Sequence, residues 1–333
     1  MPFLTMRHDF RAPVDGSSSQ AEIYTAAMDQ FRWADEHGFD FAVVSEHHGF
    51  EDGWLPTPIT AAAAIVGATQ RLPILLSAVV LPLHDPIRIA EQLVVLDHLS
   101  RGRVWTVAGA GYRPEEFAMA GVDIKRRGAI LESHLQVMLQ AFAGEPFEYD
   151  GRTVQVTPRG FTDPHPPILV GGGVEAAARR AARLRLPMMP MNSDPRLAEW
   201  YADEAATIGF EGGFVMQPSG PTFIHVTEDP EATWAEIGSY VLHEAQTYAR
   251  IQTAGQHSVP MVIADSVDDL KASPQVLVGT PDEVVAAAAA VQSGGALTFN
   301  PLAGGLPPRL AWDSLELFAA KVLPRLKALP ANV

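Results

Sequence analysis

Short apolar runs alternate with longer segments of mixed polarity along most of this chain. In the segment 20–37, the apolar residues Ile23, Phe31 and Ala34 recur near the 3.6-residue helical period, and Gly38 follows where a helix would stop. Runs rich in aliphatic and β-branched residues separate such helical segments, an alternation typical of a parallel sheet. The pattern predicts strands at 3–7, 39–45, 74–81, 103–108, 167–170, 187–191, 222–226 and 296–300, and helices at 20–37, 58–69, 86–99, 127–143, 174–184, 195–208, 230–250, 281–292 and 310–326.

The number of strand–helix units indicates the fold class. About eight units fit the pattern, which predicts an α/β fold of the (β/α)8 TIM-barrel type, in a single domain over residues 1–333. Two segments break the rhythm and are interpreted as insertions: a hairpin-like excursion at about 144–166 and the least periodic stretch at about 251–276. Two doubly wound domains are the alternative.

Composition and charge exclude several classes of protein. The net charge of −15 would repel a polyphosphate partner, so we expect no nucleic acid. The chain has no cysteine, which excludes disulfides, thiolate metal sites and a cysteine nucleophile. The apolar stretch 74–83 is about half the length that a bilayer span needs, and the N-terminal residues do not resemble a signal peptide. We therefore expect a soluble, cytoplasmic protein.

A pair of histidines follows the second predicted strand, in the sequence SEHHGFEDGWLP. Histidine titrates near neutrality and can give or take a proton at a reacting centre. Side chains alternate across a strand end, so one of His47 and His48 is expected to face the barrel mouth. A solvated or hydrogen-bonded loop histidine is the alternative. The spacing is not that of a metal-binding HExxH motif, and we predict no metal ligands.

Three consecutive glycines, Gly171, Gly172 and Gly173, stand between a predicted strand and a predicted helix. Main-chain amides at a helix N-terminus bind phosphate oxygens, and a Cβ would keep the phosphate away from them. This turn is therefore a candidate phosphate site. A tight turn without a ligand is the alternative, although such a turn needs only one glycine.

Small residues occur at two further strand ends. Gly109 and Gly111, in AGAGYRPEEF, permit positive φ and close approach of a ligand to the backbone, but they do not form a dinucleotide-binding GxGxxG. Ser77 and Ala78, on the third strand, would let a flat ligand lie against the backbone. Ordinary core packing of small residues is the alternative, and the residue types alone favour it.

Taken in order, these segments resemble the bacterial luciferase-like monooxygenase family of flavin enzymes. The resemblance covers nearly the whole chain and is carried by EHHGFEDGWLPTP, SAVVLPLHDPIRIAEQLVVLDHLSRGRV, GAGYRPEEFAMAGVD, RRGAILE, PPILVGGG, VGTPDEV and SLELFAAKVLPRL. Each motif is loose alone, and their order and spacing together are specific. Gly109 and Ala110 stand where luciferase itself has cysteine and arginine, so light emission from a long-chain aldehyde does not carry over.

The resemblance implies roles for particular residues. His47 falls on the active-site histidine, and the Ser77–Ala78 bond falls where many members have a non-prolyl cis peptide beneath the flavin ring. The amides of Gly172, Gly173 and Val174 match the phosphate contacts. The predicted catalytic residue is His47, and the predicted cofactor-binding residues are Ser77, Ala78, Gly109, Gly111, Tyr112, Arg126, Gly171, Gly172, Gly173 and Val174.

The resemblance also implies a reaction. We expect a two-component monooxygenase that takes reduced FMN from a separate flavin reductase and uses O2 on a small apolar organic substrate. A dehydrogenase or reductase that transfers hydride with the deazaflavin coenzyme F-420 is the alternative, because the family contains both. A non-catalytic flavin-binding barrel is a further alternative, and a metal-dependent hydrolase or aldolase lacks the ligands. A homodimer through helices two and three is common in the family and is expected here.

Overall fold

The computed structural model describes residues 2–13, 16–252, 262–291 and 294–328. They fall into two compact units. The first unit comprises Met1–Val43, Phe50–Leu55 and Pro218–Val333, and the second comprises Val44–Gly49 and Pro56–Gln217. Of the predicted late insertion, residues 253–261 lie outside the described residues.

Strands and helices alternate through most of the described chain, as the sequence pattern predicts. The strands are β1 (Phe3–His8), β2 (Phe41–Val44), β3 (Ile74–Val80), β4 (Val104–Gly109), β5 (Phe147–Tyr149), β6 (Arg152–Val154), β7 (Ile168–Gly172), β8 (Met188–Pro190), β9 (Phe223–Val226), β10 (Val276–Gly279) and β11 (Ala296–Phe299). The helices are α1 (Gln20–His37), α2 (Pro58–Ala68), α3 (Pro86–Ser100), α4 (Pro114–Ala120), α5 (Arg127–Phe142), α6 (Glu175–Arg183), α7 (Arg196–Thr207), α8 (Pro230–Ile251), α9 (Val267–Ala272), α10 (Pro281–Ala290), α11 (Pro308–Leu317) and α12 (Leu323–Lys327).

In the first unit the large sheet contributes the strand order β11-β1-β2. β1 and β11 are parallel, with Phe3 opposite Ala296 and Met6 opposite Phe299. β9, at the seventh predicted strand, lies instead in a separate two-stranded parallel sheet with β10. The sequence pattern did not predict β10, because its four residues precede a helix so closely that they were not separated from the aperiodic stretch before it.

In the second unit the parallel order is β3-β4-β7-β8. β5 and β6 form an antiparallel hairpin inside the 144–166 segment, which confirms the predicted excursion. β7 continues as far as Gly172, so the prediction that all three glycines form the turn is wrong. Pairing with β8 extends the strand, because the Met191 amide donates to the Gly172 carbonyl. The short helix α4 was also not predicted.

Local signals set the ends of α1. The Ser19 hydroxyl accepts from the Glu22 amide while the Glu22 carboxylate accepts from the Ser19 amide, forming a capping box. Gly38 closes the helix in the left-handed region at φ +78°, which costs glycine little. The predicted helix 20–37 is confirmed to the residue. Among the described helices, none combines the length and apolarity required to cross a bilayer.

Candidate active site

His47 lies just after β2 and is paired with a buried carboxylate. Its Nδ1 is 3.3 Å from Oε1 of Glu116 on α4, and the side chains of both residues are less than 10% exposed. The same oxygen accepts the His48 amide at 3.0 Å. The Tyr112 ring meets the His47 ring edge-on, with centroids 6.2 Å apart. A carboxylate at Nδ1 favours the tautomer with its proton on that nitrogen, so Glu116 orients the imidazole.

Arg113 supports this pair from one turn earlier. Its Nη1 donates to the His48 carbonyl and lies 3.9 Å from Glu116 Oε1. The guanidinium therefore ties the histidine turn to the start of α4.

Glu46 joins two further histidines. Its Oε1 accepts from His48 Nε2 at 2.7 Å and from His84 Nε2 at 2.6 Å, while Oε2 accepts the Val80 amide at 2.7 Å. Burial alone would raise the pKa of Glu46, but the hydrogen bonds from His48 and His84 outweigh it and hold the pKa at about 2. The bond to Glu46 in turn raises the pKa of His48.

The Glu46–His48–His84 set also meets the distance condition for a metal site. One ligand atom from each residue lies within 4.8 Å of the others. Both histidines direct Nε2 at a single carboxylate oxygen, so hydrogen bonds already satisfy these atoms. The absence of a metal stays a prediction.

Small residues at the ends of neighbouring strands meet beside the histidines. The Ser77–Ala78 peptide is cis, as the family resemblance implied. A Cβ added to Gly109 would lie 3.0 Å from the Ala78 Cβ, and one added to Gly171 would lie 3.6 Å from the Gly109 Cα. Gly111 has φ +71°, and a Cβ there would lie 2.6 Å from a Val80 methyl group. Four of the predicted cofactor residues, Ser77, Ala78, Gly109 and Gly111, thus form one strip of half-exposed backbone, whereas Gly171 is buried.

The turn between β7 and α6 leaves no room for side chains at its glycines. Gly172 has φ +138°, and a Cβ there would lie 2.6 Å from the Ala177 Cβ. A Cβ on Gly173 would lie 2.5 Å from Asn192 Nδ2. Val174 is the N-cap of α6, and no side chain in the described part of the chain caps that terminus. The amides of Glu175 and Ala176 therefore keep the donor capacity that a phosphate would use, whereas the Ala177 amide donates to the Val174 carbonyl.

Arg126 lies before α5, outside the turn between β7 and α6. It is exposed and sits in a single 3-10 turn before α5. Glu132, on α5, pairs with Arg180 at 3.2 Å and with Arg183 at 3.3 Å, both on α6. Glu132 therefore links α5 to α6 through Arg180 and Arg183. Whether Arg126 binds a cofactor stays a prediction.

A second buried polar cluster lies in the first unit, near the end of β1. Arg11 is fully buried and donates through Nε to Asp52 Oδ2 at 2.7 Å. Arg7 donates to Glu244 Oε1 at 2.8 Å, and Asp9 is 1% exposed. Burial, with the nearby charge of Glu244, raises the pKa of Asp9 to about 7 against the opposing effect of the arginines. We call Arg7, Asp9, Arg11, Asp52 and Glu244 the arginine cluster, and Glu46, His47, His48, His84 and Glu116 the histidine cluster.

Comparison with known proteins identifies the family of this chain. Residues 6–298 match the profile of the luciferase-like monooxygenase family. The chain belongs to this family. Together with the structural neighbours below, the match confirms the predicted luciferase-like α/β barrel class.

One curated relative of this luciferase-like chain is the alkanal monooxygenase alpha chain of Photorhabdus luminescens. It is 30% identical over 176 residues, which span 51% of this chain and 49% of the relative. The chain thus aligns with about half the length of such relatives.

Solved structures match over nearly the full length. Monooxygenase RslO1 from Streptomyces bottropensis has a TM-score of 0.77 at 24% identity and covers 97% of this chain and 99% of its own. The oxygenating constituent of 3,6-diketocamphane monooxygenase from Pseudomonas putida, in complex with FMN, has a TM-score of 0.72 at 19% identity, covering 98% and 99%. An F420-dependent secondary alcohol dehydrogenase, in complex with an F420–acetone adduct, has a TM-score of 0.66 at 16% identity, covering 98% and 99%. At these identities the likeness shows the fold.

Sequence reasoning missed two members of the histidine cluster. Glu116 was present in the AGAGYRPEEF motif, but its pairing with His47 spans 69 residues. His84 lies 38 residues from Glu46. The available signal was that all these residues follow the ends of β2, β3 and β4, which are expected to converge in a barrel.

Proposed function

We propose that this protein is a flavin-dependent oxidoreductase, and specifically a two-component monooxygenase that uses reduced FMN and O2 on a small apolar organic substrate. The pairing of His47 with buried Glu116 beside a strip of half-exposed backbone carries the proposal. Family membership supports an oxidoreductase, and the neighbour that binds FMN supports this cofactor. In this proposal a separate reductase supplies the reduced FMN.

In this proposal, different residues hold the phosphate and the ring of FMN. The amides of Gly172, Gly173 and Val174 would hold the phosphate, because no side chain caps the start of α6 among the described residues. Ala78 and Gly109 would lie against the ring, since their missing or minimal side chains leave the backbone accessible. When bound, the flavin supplies the redox chemistry and the reaction with oxygen.

The protein's own contribution centres on a proton at His47. Glu116 accepts from Nδ1, so the atom that gains and loses a proton is Nε2. The carboxylate also stabilises the imidazolium when Nε2 is protonated. Glu116 would thus act as a positioning residue, and His47 as the acid or base toward the reacting atoms.

One observation supports the deazaflavin coenzyme F-420 as a second candidate cofactor. The fold is shared with an F420-dependent dehydrogenase, and the glycine turn would serve the phosphate of either coenzyme. In that case the reaction would be hydride transfer. Equilibrium titration with reduced FMN and with reduced F-420 separates the two, because the true coenzyme binds far more tightly.

A homodimer and a cytoplasmic location belong to the same proposal. Val95 and Leu99 on α3 are 51% and 61% exposed, and they are spaced by one helical turn. An apolar pair of this kind on a helix surface suits contact with a second copy of the chain.

The first prediction concerns His47. His47→Asn should lower kcat by about 10²–10⁴-fold, since general acid–base catalysis contributes about that much, while the Kd for reduced flavin changes little. Glu116→Gln should lower kcat less and shift its pH profile, because it alters the imidazole and not the reacting group. Steady-state kinetics with substrate and O2 measure both.

The matched control is His98→Asn, which removes an exposed histidine whose ring is hydrogen-bonded to the Arg159 carbonyl. It should leave kcat unchanged. Turnover of His47→Asn at the wild-type rate would remove the catalytic role while leaving the cofactor proposal standing.

The second prediction concerns the phosphate turn. Gly173→Ala places a Cβ 2.5 Å from Asn192 Nδ2, which crowds the turn. We expect it to weaken the binding of reduced FMN roughly tenfold or more, because about one charge-assisted hydrogen bond is lost. The binding of reduced riboflavin, which has no phosphate, should change little. Fluorescence titration under anaerobic conditions measures both. The control is Gly67→Ala, since a Cβ there meets nothing within 4 Å. Equal weakening of riboflavin and FMN would place the phosphate elsewhere.

A further inference from the structure

A groove of about 250 Å³ lies in the first unit, between α11 and the N-terminal half of α8 and beside the end of β9. It belongs to neither polar cluster described above. Its floor includes His225 from β9, and its rim is acidic. The charged residues that line it are Glu228, Asp229, Glu236, Arg309 and Asp313.

His225 is the unusual member of this groove. It is 5% exposed, yet its ring has no hydrogen-bond partner among the described residues. Burial lowers the pKa of His225 to about 4, so the ring is neutral at pH 7. A neutral imidazole has one acceptor nitrogen and one donor nitrogen. A buried ring of this kind is stabilised by a ligand that donates a hydrogen bond.

Two of the acidic residues are already compensated. Glu228 pairs with Lys321 at the rim of the groove. Asp229 caps α8, because its Oδ1 accepts the Ala232 amide, and its charge offsets the positive end of that helix. Neither adds much net charge to the groove.

The other two acidic residues share a single cation. Arg309 lies 3.4 Å from Asp313 and 4.0 Å from Glu236, and all three side chains are more than half exposed. Two carboxylates against one guanidinium leave a surplus of one negative charge. The groove therefore suits a ligand with one positive charge.

The remaining wall is apolar. Ile237 on α8 and Leu310 and Leu317 on α11 line the groove together with Val226. Such a wall contacts a short hydrocarbon chain favourably. A metal ion suits the groove poorly, since its carboxylates and His225 do not bring three ligand atoms within 4.8 Å of one another, as the Glu46 set does.

We propose that this groove binds a small primary alkylammonium ion. The ammonium group donates to the unpartnered ring nitrogen of His225 and faces Glu236 and Asp313, while the alkyl chain lies against Ile237 and the leucines of α11. The site is separate from the proposed flavin chemistry and does not depend on it.

The test is a titration of the whole protein, carrying ¹³C-labelled histidine, with n-butylammonium chloride at pH 7. We expect a saturable shift of the His225 ring signals, which are assigned by their loss in His225→Phe. n-Butanol, the uncharged analogue, and sodium chloride should not produce this shift. In His225→Phe, calorimetry should show affinity reduced roughly tenfold or more, as for loss of a hydrogen bond to a charged group.

Charge variants make the test independent of how well His225→Phe folds. Glu236→Gln should weaken n-butylammonium roughly two- to fivefold, whereas Glu231→Gln, on the same helix but outside the groove, should not. Arg309→Gln should tighten binding, because it removes the resident cation. The proposal is overturned by a His225 signal that does not saturate, by equal weakening in Glu231→Gln and Glu236→Gln, by weaker binding in Arg309→Gln, or by a saturable response to Zn²⁺ without one to the amine.

Discussion

The two buried polar clusters both pair carboxylates with basic side chains, but the type of basic side chain differs. In the histidine cluster, Glu46 and Glu116 hold imidazoles, whereas in the arginine cluster Asp52 and Glu244 hold guanidiniums. Imidazole changes its charge between about pH 5 and 8, and guanidinium does not. The first cluster can therefore move protons at working pH, while the second keeps a fixed set of cations.

The two clusters also differ in the pKa values of their carboxylates. Histidine hydrogen bonds hold the pKa of Glu46 at about 2, so it stays ionised at neutrality. Asp9 lies beside two arginines, yet burial raises its pKa to about 7. A buried carboxylate is thus governed by the hydrogen bonds it accepts as much as by nearby charge.

The largest expected effect breaks the arginine cluster. Arg11→Met removes a guanidinium with no exposed surface and leaves Asp52 buried without its main partner. Removing one member of a buried pair costs about 3–5 kcal/mol of unfolding free energy, which urea denaturation at pH 7 measures. Arg88→Met, which removes an exposed partner of Glu91, is the control and should cost less than about 1 kcal/mol. Similar losses in the two variants would show that the cluster is not a stabilising one.

A smaller effect is expected in the histidine cluster. Glu46→Gln replaces one accepting oxygen with a donating NH2 group, so either the Val80 amide or the two histidines lose the oxygen that accepts from them, and we expect a loss of about 1–3 kcal/mol in unfolding free energy at pH 7. The substitution should also alter how the unfolding free energy depends on pH. The folded pKa of Glu46 lies below its ordinary 4.5, so its contribution is present above pH 4.5 and is lost as the pH falls through about 2.

Unfolding measured from pH 5 to 2 therefore tests the assignment, since the wild type should lose stability more steeply than Glu46→Gln. His48 has the opposite sign. Its raised pKa gives stability that is present below pH 6.5 and lost as the pH rises through the folded value. If the unfolding free energies of the wild type and of Glu46→Gln fell equally steeply between pH 5 and 2, the role given to Glu46 would be contradicted.

The smallest effect is expected from a substitution of His243, a histidine that contacts the arginine cluster. His243 bonds Asp52 at 3.0 Å and is thus a histidine next to the arginine cluster, but its side chain is one-third exposed. Its removal in His243→Gln should cost less than about 1 kcal/mol in the same urea assay, because Arg11 still holds Asp52. A loss as large as that of Arg11→Met would make His243 a full member of the cluster.

Local structure was readable from the sequence where the controlling residues are neighbours. The ends of α1 follow from Ser19, Glu22 and Gly38, all within one turn of the helix boundary. The cis Ser77–Ala78 bond came only from the family resemblance, since no residue type requires it. His47 was predicted as a site residue because it follows a predicted strand directly.

Pairing over long distances was not readable. Arg7 and Glu244 are 237 residues apart, and periodicity assigns each only to a strand or a helix. The same holds for Glu116 and His47. A strand that continues into its own turn, as β7 does to Gly172, is likewise decided by the neighbouring strand and not by the glycines.

The turn before α6 has a practical consequence for mutagenesis. Val174 is 62% exposed, and its side chain contributes no cap to the helix that it precedes. Recognition through the main chain leaves nothing for an alanine scan to delete, so Val174→Ala would score as silent even within a binding loop. Evolution could likewise exchange that side chain freely while the ability to hold an anion persisted in the peptide groups.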